Sequence, residues 1–96
     1  MKTETKLYPA QIIYRANERG DHWTGRLLNP NAIDTQTGKR ASEYACFVIQ
    51  ERPNGSCTTM STGGFRGGER YRNYASLREA QIAGIRWAAR RFKVEG

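Results

Sequence analysis

One histidine, His22, two cysteines, Cys46 and Cys57, and nine carboxylates are the side chains of this sequence that could ligate a metal or move a proton near neutral pH. A metal site built around a single histidine would have to recruit both cysteines. They lie on strand candidates either side of Arg52-Pro53-Asn54-Gly55-Ser56, in which Asn-Gly is a strong hairpin-turn signal. With Asn54 and Gly55 at the tip, Cys57 faces Arg52 and Cys46 faces Gly63. The two sulfurs are then separated by roughly 20 Å along the ladder at ~3.3 Å per residue, against a limit of ~7 Å between the Cα atoms of a disulfide. The expectation is two reduced, structural cysteines, with no metal and no cofactor.

The carboxylates, Glu4, Glu18, Asp21, Asp34, Glu43, Glu51, Glu69, Glu79 and Glu95, are scattered, and Glu79 has a structural use described below. No pair is spaced for general acid and base work. His22, beside Trp23 at a strand start, reads as a surface histidine. The chain is therefore expected not to be an enzyme.

Phosphate recognition is the chemistry that the residue types favour. Gly63 to Asn73 carries four glycines and three arginines in eleven residues, and glycine backbones can present several N–H groups to an anion. The segment has neither the Gly-Lys-Ser/Thr ending of a nucleotide-binding loop nor G-x-G-x-x-G after a strand. Gly64-Phe65-Arg66-Gly67 matches a bare GxxG, but after a strand and not between two helices. The arginines carry more information. Residues 1–64 hold a net charge of +2 and residues 65–96 a net charge of +5, and twelve of the sixteen cations are arginine, the side chain that grips phosphate with two hydrogen bonds and stacks on bases. Arg66, Arg70, Arg72, Arg86, Arg90 and Arg91 are the candidate phosphate contacts. Phe65, Tyr71 and Tyr74 are the candidate stacking residues. A structural account competes for some of them, because cations in the last helical turn, Arg90, Arg91 and Lys93, also favour the helix dipole.

These residues need a scaffold, and 96 residues of 10.9 kDa provide one domain. A hydrophobic content of 38%, with ten aromatics, supports a small core, while a net charge of +7 selects anionic partners. No apolar stretch follows Lys2, and no run approaches a membrane span. The chain reads as cytoplasmic, without a membrane role, and residues 1–7 as a disordered tail.

Period-two alternation over 8–16 predicts a first strand, and His22 to Leu28 returns as the second arm of a hairpin. Residues 29–42 are polar and read as a long loop. Glu43 to Gln50 is an apolar third strand, and Ser56 to Thr62 a Thr-rich fourth strand at an edge. Residues 63–73 read as a flexible Gly/Arg loop. A helix over 76–92 opens on a capping box, Ser76 with Glu79 three residues on, and Leu77, Ala80, Gly84, Ile85, Trp87, Ala88 and Phe92 share its apolar face. Glu79, Ala83, Arg86 and Arg90 take the opposite face. Gly84 in mid-face implies close approach of helix to sheet. The fold class is α+β: an antiparallel sheet of three to four strands, as two hairpins, with one C-terminal helix packed on one face.

Leu77-Arg78-Glu79-Ala80-Gln81-Ile82-Ala83-Gly84-Ile85-Arg86-Trp87-Ala88 resembles the terminal helix of small uncharacterised bacterial domains of the Burkholderia type. That resemblance implies a sheet-plus-helix fold and no assigned activity. The plan is also similar to the DNA-binding arm of some phage and transposon integrases, which is a likeness of fold alone. Two functions follow. One is a nucleic-acid-binding module, for DNA or RNA, using the arginine-rich loop and helix. The other is an accessory domain that meets a protein partner through the sheet face or an edge strand.

Overall fold

The structure, a computed structural model, describes residues 6–41, 45–61 and 70–95. Among these residues the fold is α+β, with eight strands in two antiparallel sheets of three and five strands and one helix packed against them. The expected sheet of three to four strands is thus too small, and each missed strand has a physical reason.

The larger sheet runs β2 (Ile12–Ala16), β3 (His22–Leu27), β5 (Cys46–Glu51), β6 (Cys57–Ser61) and β7 (Arg70–Tyr74), each antiparallel to the next. β6 is therefore interior and not an edge. β7 occupies part of the expected loop over 63–73: Arg70, Tyr71, Arg72, Asn73 and Tyr74 pair with Ser61 back to Cys57. Residues 62–69 lie outside the described residues. The hairpin of β5 and β6 is one residue out of the expected register, with Cys57 opposite Glu51. Pro53 causes the slip, because it has no N–H for a ladder and its φ suits the second position of an ordinary turn. Gly55 N–H donates to the Arg52 oxygen, and Gly55 takes φ +87°, which makes a three-residue connection. Neither Cys46 nor Cys57 is in a disulfide. Cys57 is fully buried, and burial pushes its thiol upward, reinforced by Glu51 and opposed by Arg52.

The smaller sheet gathers three short pieces of the chain in the order β1 (Leu7–Pro9), β8 (Phe92–Glu95), β4 (Ile33–Asp34). The expected first strand is in fact two. Pro9, which cannot donate to a ladder, ends β1 at a sheet edge; Ala10 N–H then reaches the Phe92 oxygen, and the chain enters the larger sheet at Ile12. Leu7 belongs to β1 and not to the expected disordered tail, and residues 1–5 lie outside the described residues. β4 sits inside the expected polar loop.

The helix α1 (Leu77–Arg91) has Ser76 as its N-cap, whose hydroxyl accepts from the Glu79 N–H. The Glu79 carboxylate accepts from Ala75 N–H, one residue before the position a standard capping box uses. The expected helix over 76–92 is one residue too long at its C-terminal end. Phe92 is extended, its N–H donates to the Ala88 oxygen, and it starts β8 with its ring buried. Ala80, Gly84 and Ala88 are the buried helical positions, small residues that let α1 lie close on the larger sheet. Ile85 is half exposed and does not join the core. Phe47, Ile49, Cys57 and Ala80 form one core, with Tyr14, Trp23, Tyr74, Leu77 and Trp87 packed around it. Ala10, Ala32 and Phe92 form a second core, and Trp87 touches both, 5.8 Å from the Phe47 ring and 5.1 Å from the Phe92 ring.

Candidate functional site

Strand alternation decides which side chains share a face. Pairing register places Arg72 and Tyr74 of β7, Thr59 and Ser61 of β6 and Phe47 of β5 on the helix side of the larger sheet. Helical periodicity places Glu79, Ile82, Ala83, Arg86 and Arg90 along one flank of α1. α1 packs against β5, β6 and β7, and the two sets line a single groove of about 670 Å³ together with Trp87. The helix flank that reads as simply solvent-exposed in sequence is one wall of that groove.

Arg72 comes from the sheet, and Arg86 and Arg90 come from the helix, so three of the expected phosphate contacts converge although 14 to 18 residues separate them in sequence. All three are exposed, and among the described residues no carboxylate pairs with their guanidinium groups. Thr59, itself buried, donates its hydroxyl to the Arg72 main-chain oxygen at 3.4 Å, which ties Arg72 to the sheet interior. Among the described residues, Glu79 is the one acidic residue of the groove lining. At 1.5 Å rise per residue it stands roughly 10 to 16 Å along the helix from Arg86 and Arg90, so the cations cluster toward one end.

The other expected site residues have different fates. Arg91 is not in the groove. Its guanidinium holds the Asp34 carboxylate, Nη2 at 2.9 Å and Nε at 3.3 Å from the same oxygen, and lies over the Phe92 ring. Lys93 donates to the Ala89 oxygen at 2.6 Å and so serves the helix end. Of the three cations that could have belonged to the helix dipole, Arg90 alone faces the groove. Tyr71 lies on the opposite face of the sheet from Arg72 and Tyr74 and is 64% exposed. Arg70 is the first residue of β7, opposite Ser61. Phe65 and Arg66 lie outside the described residues.

Sequence reasoning did not assign Phe47, Ile82 or Trp87 to a site: Phe47 and Trp87 read as packing, and Ile82 falls in neither the apolar nor the opposite face of the helix. The available signal was the stripe Glu79, Ile82, Ala83, Arg86, Arg90 combined with alternation over 70–74, which puts Arg72 and Tyr74 on one side.

The opposite face of the larger sheet carries Ile13, Arg15, His22, Thr24 and Arg26 around a second hollow of about 590 Å³. His22 Nδ1 lies 2.9 Å from Gln50 Oε1, a surface hydrogen bond that uses the only imidazole in the chain. Among the described residues no three His, Cys, Asp or Glu side chains come together as a metal set. Among the described residues no helix is long and apolar enough to cross a membrane. No protein-family model matches the chain, and no similar protein was found among curated sequences or solved structures.

Proposed function

We propose that the chain is a nucleic-acid-binding module that holds phosphates of DNA or RNA in the groove between β7 and α1. The observation that carries this reading is the convergence of Arg72 with Arg86 and Arg90 from two separate elements. Two exposed arginines one helical turn apart repel each other by a few tenths of a kcal/mol, and an anion between them removes that cost. Arginine at all three positions suits bidentate contact with phosphate, and Tyr74 is the stacking candidate that shares the groove. The module works by binding and not by catalysis.

Fluorescence anisotropy with labelled oligonucleotides tests the reading. Binding at ~50 mM salt should weaken steeply as salt rises, because each neutralised phosphate releases condensed counterions. An Arg86→Glu/Arg90→Glu variant should lose most of it. Absence of binding at ~50 mM salt with micromolar protein removes the reading.

A second reading, a module that meets a protein partner, is favoured by the open face of the larger sheet. Ile13 there is half exposed, and Tyr71 more so. Edge pairing in this reading belongs to β2 or β7, not β6. Such binding would persist at moderate salt.

A further inference from the structure

Resting on the nucleic-acid reading, we infer that the groove between β7 and α1 takes an unpaired nucleotide, base inward and phosphate outward, so that the ligand is single-stranded and not duplex. The groove has two chemically distinct parts. Its cationic part is Arg72, Arg86 and Arg90. Its apolar part is built from Ile82 and from the rings of Tyr74 and Trp87, both half-buried and both lining the groove. A duplex keeps its bases stacked inside and shows its phosphates outside, so it would satisfy the arginines and leave the apolar part in water. A single strand supplies both halves, a phosphate for the guanidinium groups and a flat apolar base for the rings. About 670 Å³ lies within the range of sites that enclose small ligands, ~300 to 1,000 Å³, and gives room for a base or two. It gives no room for a double helix, whose phosphates would meet the rim only.

Glu79 gives the strand a direction of approach. Its carboxylate, fixed by Ala75 N–H, repels phosphate at the N-terminal end of α1, so the backbone enters over Arg86 and Arg90.

The chain has two tryptophans, Trp23 and Trp87, and Trp23 lies outside the groove lining. In a Trp23→Phe variant Trp87 is the sole tryptophan, so all indole emission comes from a residue of the groove lining. Its emission should be quenched by a mixed-sequence oligonucleotide of about 12 nucleotides, and not by inorganic polyphosphate, which has charge and no bases. In the unmodified protein, anisotropy should give at least about fivefold tighter binding to the single strand than to the duplex of the same sequence at one salt concentration, the effect of one stacked base. This second measurement stands even where Trp23→Phe does not fold. Ala83→Leu, which puts a larger side chain on the helix wall of the groove, should abolish that preference while duplex binding persists. Equal or tighter duplex binding, or Trp87 emission that a bound single strand leaves unchanged, overturns the inference and leaves the nucleic-acid reading in place. Failure of both strands and duplex to bind removes that reading, and the inference with it.

Discussion

The Tyr14 hydroxyl in β2 donates a 2.7 Å hydrogen bond to the main-chain oxygen of Gln81 in α1, linking the edge of the larger sheet to the middle of the helix across 67 residues of chain. Two glycines make room for the ring. Gly25 is the cross-strand partner of Tyr14, and a Cβ there would sit 2.8 Å from Tyr14 Cε1. Gly84 in α1 is the other; a Cβ there would strike the Tyr14 hydroxyl and lie 2.6 Å from Phe47 Cδ1. The helix seats on the sheet at this point, and its seating sets how far the Arg86 and Arg90 flank stands over β7.

Alanine at position 84 therefore reverses its usual sign. By helix propensity alone Gly84→Ala stabilises by about 1 kcal/mol. The new methyl would overlap both Tyr14 and Phe47, so the variant should instead lose about 1–3 kcal/mol, and Gly84→Val more. Urea titrations followed by circular dichroism measure this. Stabilisation by Gly84→Ala would show that the helix does not sit this close.

Removing only the Tyr14 hydroxyl, as in Tyr14→Phe, should cost about 1 kcal/mol, the typical net worth of one hydrogen bond. It should also change the alkaline limb of the stability profile. Burial holds the Tyr14 phenol well above its ordinary value of 10.0. In the unfolded chain the phenol ionises from that value upward while the folded protein keeps its proton, so stability falls as pH rises above ~10. Below that pH the group contributes no slope. Thermal melts at pH 9 to 11 should show a shallower decline for Tyr14→Phe than for the unmodified chain, and parallel declines would refute the assignment.

The helix was legible because its signals are local: Ser76 and Glu79 at its start, small residues at Ala80, Gly84 and Ala88 along one side. The strands of the smaller sheet were not, because their partners are remote. Leu7 pairs with Glu95, and Asp34 with Phe92. Phe92 fits the apolar period of the helix, and nothing at that position announces a stop. β7 was hidden by its composition, since arginine, tyrosine and asparagine after a glycine-rich stretch lack the aliphatic residues that mark a strand. The groove was readable to the same extent. Arg72, Arg86, Arg90 and Tyr74 stood out by chemistry, whereas Trp87 looked like core alone. Arg91 looked free because its partner Asp34 is 57 residues away.

That partner makes a separate prediction. Asp34 and Arg91 side chains are each 11% exposed, and the Asp34 carboxylate also accepts from Gln36 N–H. The pair fastens β4 to the end of α1. Breaking a fully buried pair by removing one partner costs ~3–5 kcal/mol, and partial exposure reduces this to about 2–3 kcal/mol for Asp34→Asn or Arg91→Met. The double variant should be destabilised by less than the sum of the singles, since it strands no charge. Additive losses in the denaturant cycle would mean that the two groups do not interact in solution.

The same pair supplies the control for the groove. If Arg72, Arg86 and Arg90 each neutralise a phosphate, the logarithm of the binding constant should fall with the logarithm of salt by about 0.7 per contact on a single strand and about 0.9 on a duplex. Replacing any one of the three by glutamine should then flatten the slope by about one contact's share and weaken binding at low salt. Arg91→Gln removes the same formal charge from the same helical turn as Arg90→Gln. Because Arg91 is held by Asp34, its loss should leave the slope unchanged in samples shown to be folded. Net charge alone would treat positions 90 and 91 alike, whereas geometry separates them. Equal slopes for the Arg90 and Arg91 variants would mean that binding follows the +7 of the whole chain and not the groove.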